Sequence, residues 1–302
     1  MRGAVLWASL WVLSCGSVVA GESFSCAHEK TSDPVVATRT TIAGVPALVR
    51  VPRSVTKPPI ILWHGFGPPA SEDALMSALP LDDVPAVKIF LGLPLFGARA
   101  PSVNEESVGQ RQGRDYASLL FEPAVIGAAK EVPAVVTALR QNGCLRANQQ
   151  VALFGFSAGG AAVLMALTER EIPVRSAVTV NAPVGLRASI DALERATRLP
   201  YAWTDASRRL AERSDAIARA REIAAGNPPP ALLIFHGADD AVITPKGAVM
   251  LEAALLPLYE RAHANGRLKL LLAPDVSHDW SDTRSLQVLR ASVADWFNQP
   301  LH

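Results

Sequence analysis

The apolar run Val151-Ala152-Leu153-Phe154 leads straight into Gly155-Phe156-Ser157-Ala158-Gly159, and an alanine-rich stretch of helical composition, Ala158 to Glu169, follows at once. A G-x-S-x-G pattern between a strand and a helix constrains the fold more than any other feature of the chain. A serine on so sharp a turn needs small neighbours, and glycines two positions to either side let strand and helix approach. The serine oxygen then projects over the end of the strand, where it can meet a bound molecule.

The rest of the chain repeats that alternation. Ile60-Ile61-Leu62-Trp63, Val87 to Leu91, Ala177 to Val180, Leu232 to Phe235 and Leu268 to Leu272 are short, mostly apolar runs. Such runs suit strands covered on both faces by helices. Helix-length segments stand among them, notably Pro123 to Arg140, Ala158 to Glu169, Gly247 to Ala264 and Thr283 to Phe297. The expected class is α/β, a mostly parallel central sheet flanked by helices, with an antiparallel hairpin between Arg39 and Val51 broken by Gly44 and Pro46. With 302 residues, 49% of them hydrophobic, the chain can bury one substantial core. A single domain over 37–302 is expected, behind a flexible segment at 21–36.

In an open α/β sheet, ligands bind beyond the carboxyl ends of the strands. A serine hydroxyl is a weak nucleophile until a base takes its proton, and the base needs a carboxylate to orient it. Asp239-Asp240 follows the run Leu232 to Phe235, and His278 follows Leu268 to Leu272, so Ser157, an aspartate and His278 fall in turn at strand ends. Adjacent carboxylates on one turn cannot both face the same imidazole, and the residues leave the choice open. His64-Gly65-Phe66-Gly67 follows an earlier strand; the N–H of Phe66, with that of Ala158, would form an oxyanion hole. His64 and His236 read as loop-shaping residues. None of the six histidines has a metal-ligand spacing, so neither metal nor cofactor is expected.

The stretch 184–227 interrupts the rhythm: it is helical in composition, rich in arginine, and holds Tyr201 and Trp203 just after Pro200. It reads as a small helical lid insertion whose two aromatic residues would contact substrate, or as a crossover enlarged by an extra helix.

At the amino end, Arg2 is the only charge before Gly21, Ala4 to Leu13 is almost wholly apolar, and Val18-Val19-Ala20 offers a cleavage site. Residues 1–20 therefore read as an export signal, and the mature protein as secreted or periplasmic. The apolar run is shorter than the ~20 residues that span a bilayer, and no membrane span is expected. Val12-Leu13-Ser14-Cys15 also loosely matches a lipoprotein signal, with anchoring through Cys15. Cleavage after Ala20 leaves Cys26 and Cys144, which in an oxidising compartment either pair or stay free. With 29 basic against 28 acidic residues there is no electrostatic case for nucleic acid, and no pattern specifies an oligomer; the expected partner is a small-molecule acyl substrate.

From Val51 to Phe297 the chain resembles the dienelactone hydrolase and prolyl-oligopeptidase-like group of α/β-hydrolases. The likeness rests on His64-Gly65-Phe66-Gly67, Gly155-Phe156-Ser157-Ala158-Gly159-Gly160, His236-Gly237-Ala238-Asp239-Asp240 and Ser277-His278-Asp279-Trp280. It implies the α/β-hydrolase fold and a catalytic triad of Ser157, Asp240 and His278, the acid placed four positions after His236 as is usual in that group. Dienelactone hydrolases carry cysteine where Ser157 stands, and prolyl oligopeptidases carry an N-terminal propeller for which this sequence has no room. The resemblance therefore implies a serine carboxylesterase working through an acyl-enzyme. A peptidase, thioesterase or acyltransferase on the same triad, and a non-catalytic ligand-binding member of the fold, are the rival readings.

Overall fold

The computed structural model describes residues 24–27, 33–280 and 282–300. The expected export signal, with Cys15 inside it, lies outside the described residues.

Eight strands form one sheet: β1 (Val35–Ile42), β2 (Val45–Pro52), β3 (Ile60–Trp63), β4 (Lys88–Leu91), β5 (Val151–Phe156), β6 (Val174–Val180), β7 (Ala231–Gly237) and β8 (Leu268–Ala273). Their order is β1-β2-β4-β3-β5-β6-β7-β8. β2 runs antiparallel to both β1 and β4, and every other pairing is parallel. The hairpin expected between Arg39 and Val51 is longer at both ends. After β3 the chain adds β4 on one side and then returns to lay β5 on the other, so the direction of sheet growth reverses at β3. Such a reversal leaves a crevice beyond the carboxyl ends of the two strands.

The helices are α1 (Glu72–Ala78), α2 (Val108–Tyr116), α3 (Gly127–Gln141), α4 (Ala158–Glu169), α5 (Leu186–Thr197), α6 (Asp205–Ser214), α7 (Ala220–Ile223), α8 (Lys246–Arg261) and α9 (Thr283–Asn298). Strand alternation divides the core in two. Ile60, Leu62, Phe154 and Phe235 pack with Leu75 of α1 and with Leu289, Val293 and Trp296 of α9. Ile61, Trp63, Leu153 and Ile234 pack on the opposite face with Val132 and Val136 of α3, Leu164 of α4 and Leu255 of α8. Burial on both faces explains why these strands read as continuous apolar runs.

The helix expected from Pro123 to Arg140 belongs to a longer helical stretch. Asp115, at φ −160° and ψ 94°, breaks the path near the end of α2, and Ala117–Ile126 winds as a π-helix. Pro123 lies inside it, lacks an N–H and cannot close an ordinary helical bond; Gly127 N–H donates to Glu122 O, five residues back.

Within 21–36, the described residues 24–27 and 33–36 include anchored positions. Phe24 is buried, Cys26 is disulfide-bonded to Cys144 beyond α3, and Val35 and Val36 already belong to β1. The stretch 184–227 folds as α5, α6 and α7, with α7 packed on α4 and α8. Among the described residues no helix is long and apolar enough to cross a membrane.

Candidate active site

Ser157 occupies the turn from β5 into α4 with φ 52° and ψ −118°. A non-glycine residue held there stores roughly 1–3 kcal/mol of strain. The surrounding backbone enforces it: Ser157 N–H donates to Val180 O at 2.8 Å. A Cβ on Gly155 would lie 2.1 Å from Gly159 O, and one on Gly159 would lie 2.5 Å from His64 O. Only glycine permits β5, α4 and the loop after β3 to meet this closely.

His278, in the loop after β8, completes a hydrogen-bonded chain. Ser157 Oγ–H donates to His278 Nε2 at 3.1 Å, and His278 Nδ1–H donates to Asp240 Oδ2 at 2.7 Å. The other oxygen, Asp240 Oδ1, accepts the N–H groups of Val242 and Ile243 at 2.9 and 2.8 Å. His236 donates Nε2–H to Ile243 O at 2.7 Å and stands 3.3 Å from Asp240 Oδ2. Burial pushes the Asp240 pKa up, but hydrogen bonds from His236 and His278, the charge of His278 and the Ile243 N–H together hold it below the usual carboxylate value. An ionised Asp240 fixes the His278 tautomer with the proton on Nδ1, leaving Nε2 free to accept the serine proton. Asp239 instead lines the cavity in front of Ser157, and its N–H donates to Val276 O at 3.2 Å.

His64 is fully buried; its Nδ1–H donates to Gly65 O at 2.7 Å and its Nε2 accepts Leu93 N–H at 3.1 Å. Burial lowers its pKa to about 4 against the opposing Gly65 bond, so the ring stays neutral and ties the loop after β3 to the loop after β4. Phe66 stacks on Phe96 of that second loop, with ring centroids 4.7 Å apart and planes 7° from parallel.

A cavity of about 510 Å³ opens over Ser157 and His278, and both Phe66 and Ala158 face it. Tyr116, Phe121 and Val125 from α2 and the π-helix form one apolar wall; Ala192, Leu193 and Ala196 of α5 contribute another. Its charged lining residues are two carboxylates, Asp239 and Asp279. The Tyr116 hydroxyl bonds to Ser189 of α5, and burial pushes its pKa up to about 12.

Tyr201 and Trp203, expected to contact substrate, do not line this cavity. Tyr201 O–H donates to Asp115 Oδ1 at 2.9 Å, Trp203 meets Tyr201 edge to face, and the Arg187 guanidinium lies 5.1 Å from the Trp203 ring centre. Their polar and π contacts hold the 198–204 connection against α2 and α5, leaving Tyr116, Phe121 and Phe66 as the aromatic residues at the cavity. Asn181, fully buried at the end of β6 and hydrogen-bonded to the loops after β7 and β8, belongs to none of the sequence motifs. A polar residue ending an apolar run, just before Ala182-Pro183, is the one sign of it in the sequence.

Fold and site together define a serine hydrolase of the α/β-hydrolase fold. The chain belongs to the prolyl oligopeptidase family, whose sequence profile matches residues 109–302. Among solved structures it is similar to the protein TT1662 of Thermus thermophilus, at 19% identity and TM-score 0.66 over 88% of this chain and 99% of that one. A dienelactone hydrolase of Anabaena variabilis aligns at 15% identity and TM-score 0.57, over 89% of this chain and 100% of that one. Dipeptidyl peptidase 4 of Porphyromonas gingivalis aligns at 17% identity and TM-score 0.56, over 88% of this chain but 35% of that one. At these identities the structural likenesses speak to fold alone. Comparison with curated proteins returns no match.

Proposed function

We propose that the protein is a carboxylesterase that cleaves its substrate through an acyl-enzyme on Ser157. The observation that carries this reading is the unbroken chain Ser157 Oγ, His278 Nε2, His278 Nδ1, Asp240 Oδ2 at the floor of a largely apolar cavity. His278 takes the serine proton as Oγ attacks the ester carbonyl. The N–H groups of Ala158 and Phe66 receive the oxyanion, and the imidazolium returns its proton to the departing alcohol. Water, deprotonated by the same imidazole, then releases the acid.

The lining favours an ester with an uncharged, apolar acyl group. An extended peptide needs polar partners along its backbone, and the walls from the π-helix and α5 offer mainly carbon. Family membership supports peptide amides as the second reading. The α5 to α7 stretch acts as a lid through its α5 wall, and residues 1–20 direct export, with lipid anchoring at Cys15 as the alternative that intact-mass analysis of exported protein separates. Purified protein tested on aryl esters, acyl thioesters and peptide amides should turn over aryl esters best, and an organophosphonate should label Ser157 in the wild type and nothing in Ser157→Ala. Preference for amides would move the protein to the peptidases; full labelling of the alanine variant would end the proposal.

A further inference from the structure

We infer that Asn181 is a positioning residue for the His278–Asp240 pair, a single buried amide that locates the loops carrying base and acid relative to the nucleophile. The inference rests on the serine hydrolase reading above.

Asn181 follows β6 with φ 48° and no exposed surface, and its own N–H donates to Phe235 O at 3.0 Å. Its side chain reaches two neighbouring strand ends. Oδ1 accepts Gly237 N–H at 2.8 Å, where β7 gives way to the loop that carries Asp240. Nδ2 donates to both Ser277 O and His278 O at 2.9 Å. With its acceptor and both donors engaged, the amide has one orientation, and it fixes the main chain of the base residue itself.

Other bonds join the same two loops, from Ala238 N–H to Ala273 O at 2.8 Å and from Asp239 N–H to Val276 O at 3.2 Å. Those stop short of His278. The residue just before Asn181 holds the third member, since Val180 O accepts Ser157 N–H at 2.8 Å. Two consecutive residues at the end of β6 thus anchor nucleophile, acid loop and base loop. His278 must satisfy Ser157 on one nitrogen and Asp240 on the other, and a displacement of about 1 Å in such a relay can cost about 10²-fold in rate. Aspartate cannot replace Asn181, because it would turn a carboxylate oxygen toward two carbonyl oxygens; alanine leaves those carbonyls and Gly237 N–H without this partner.

The test compares Asn181→Ala and Asn181→Asp with Thr179→Val, a change at another buried polar position of β6. Melting temperature, kcat and KM for p-nitrophenyl acetate, and the rate of Ser157 labelling by an organophosphonate are read for each. Both Asn181 variants should lose about 10 to 10² in kcat and in labelling rate with KM within about threefold of wild type, while Thr179→Val keeps both rates at whatever melting temperature it has. Asn181→Asp preserves side-chain shape and covers the case in which the alanine variant fails to fold. Rates within twofold of wild type in a folded Asn181 variant, or a loss no larger than that of Thr179→Val, would overturn the inference. Failure of the wild-type protein itself to label at Ser157 would instead overturn the hydrolase reading, and this inference with it.

Discussion

Asp240 Oδ2 accepts the Nδ1–H of His278 at 2.7 Å, and the neighbouring Asp239 lines the cavity from the same turn. The choice between adjacent acids is therefore a matter of geometry. Asp240→Asn permits the wrong imidazole tautomer and should lower kcat by up to about 10⁴-fold, as in triad proteases. Asp239→Asn should cost less than about tenfold, since its carboxylate is not part of the relay. Side-by-side kinetics on an aryl ester decide it: an inactive Asp239→Asn with an active Asp240→Asn would move the acid by one residue.

Stability should fall on acidification because of His64. Its pKa is about 4 in the folded protein against 6.5 for a free histidine. Between those values the unfolded chain binds the extra proton, so unfolding free energy rises with pH. The contribution is complete above pH 6.5 and is lost as pH falls toward 4, with an upper bound of about 3 kcal/mol. Urea unfolding at pH 7 and pH 4.5 should show a smaller loss in His64→Gln than in wild type; equal losses would refute the assignment.

Lys88 gives the opposite end of the pH scale. It is fully buried in β4, its Nζ donates to Val84 O at 3.2 Å, and burial lowers its pKa to about 8 from 10.5, with Asp82 opposing. Below pH 8 the folded state carries a buried charge; between pH 8 and 10.5 the unfolded chain holds the proton more tightly, so stability rises with pH. Lys88→Met should be more stable than wild type by roughly 1–3 kcal/mol at pH 7, a gain that shrinks as pH rises through 8 toward 10.5. Chemical denaturation at pH 7 and pH 10 measures it, and a destabilised variant at pH 7 would show that the Val84 bond outweighs the buried charge.

The Cys26–Cys144 bond closes a sequence separation of 118 residues. Loops of that size lose enough unfolded-state entropy for the cross-link to contribute about 2–4 kcal/mol. Cys144→Ser should lower the melting temperature to the value of reduced wild type, with kcat retained because neither cysteine lines the cavity. Mapping of non-reduced peptides should find the pair joined in oxidised protein.

Ala192 lies on the α5 wall of the cavity. Ala192→Trp fills space that an acyl chain would occupy, so kcat/KM for octanoate esters should fall about 10–100-fold relative to acetate esters. Labelling of Ser157 by a small phosphonate should persist. An unchanged preference between chain lengths would place the acyl group elsewhere.

Much of this architecture is legible in the sequence because its causes are local. Apolar runs such as Leu232 to Phe235 report burial on both faces of a strand, and Gly155 and Gly159 report the close approach of β5, α4 and the loop after β3. The order of Ser157, the aspartate pair and His278 follows from the same strand-end pattern. Where long-range contacts override composition, the sequence misleads: Phe24 is buried and Cys26 bonded to Cys144 in a stretch of polar composition, and Tyr201 and Trp203 engage Asp115 and Arg187 instead of the cavity.

By itself, then, the sequence determined an α/β chain with a strained serine between strand and helix and a histidine after a later strand, since these depend on sterics within a few residues. For the acid, local sterics left Asp239 and Asp240 equal and only the family resemblance, through His236 four positions earlier, pointed to Asp240; tertiary structure alone decided that Asn181 ties both loops to β6 and that the π-helix and α5 wall the cavity. Those outcomes depend on which strand ends become neighbours in the sheet. A difference of one position along a turn reverses which side chain points inward, and the sterics of that turn by themselves do not record where His278, 38 positions away, will stand.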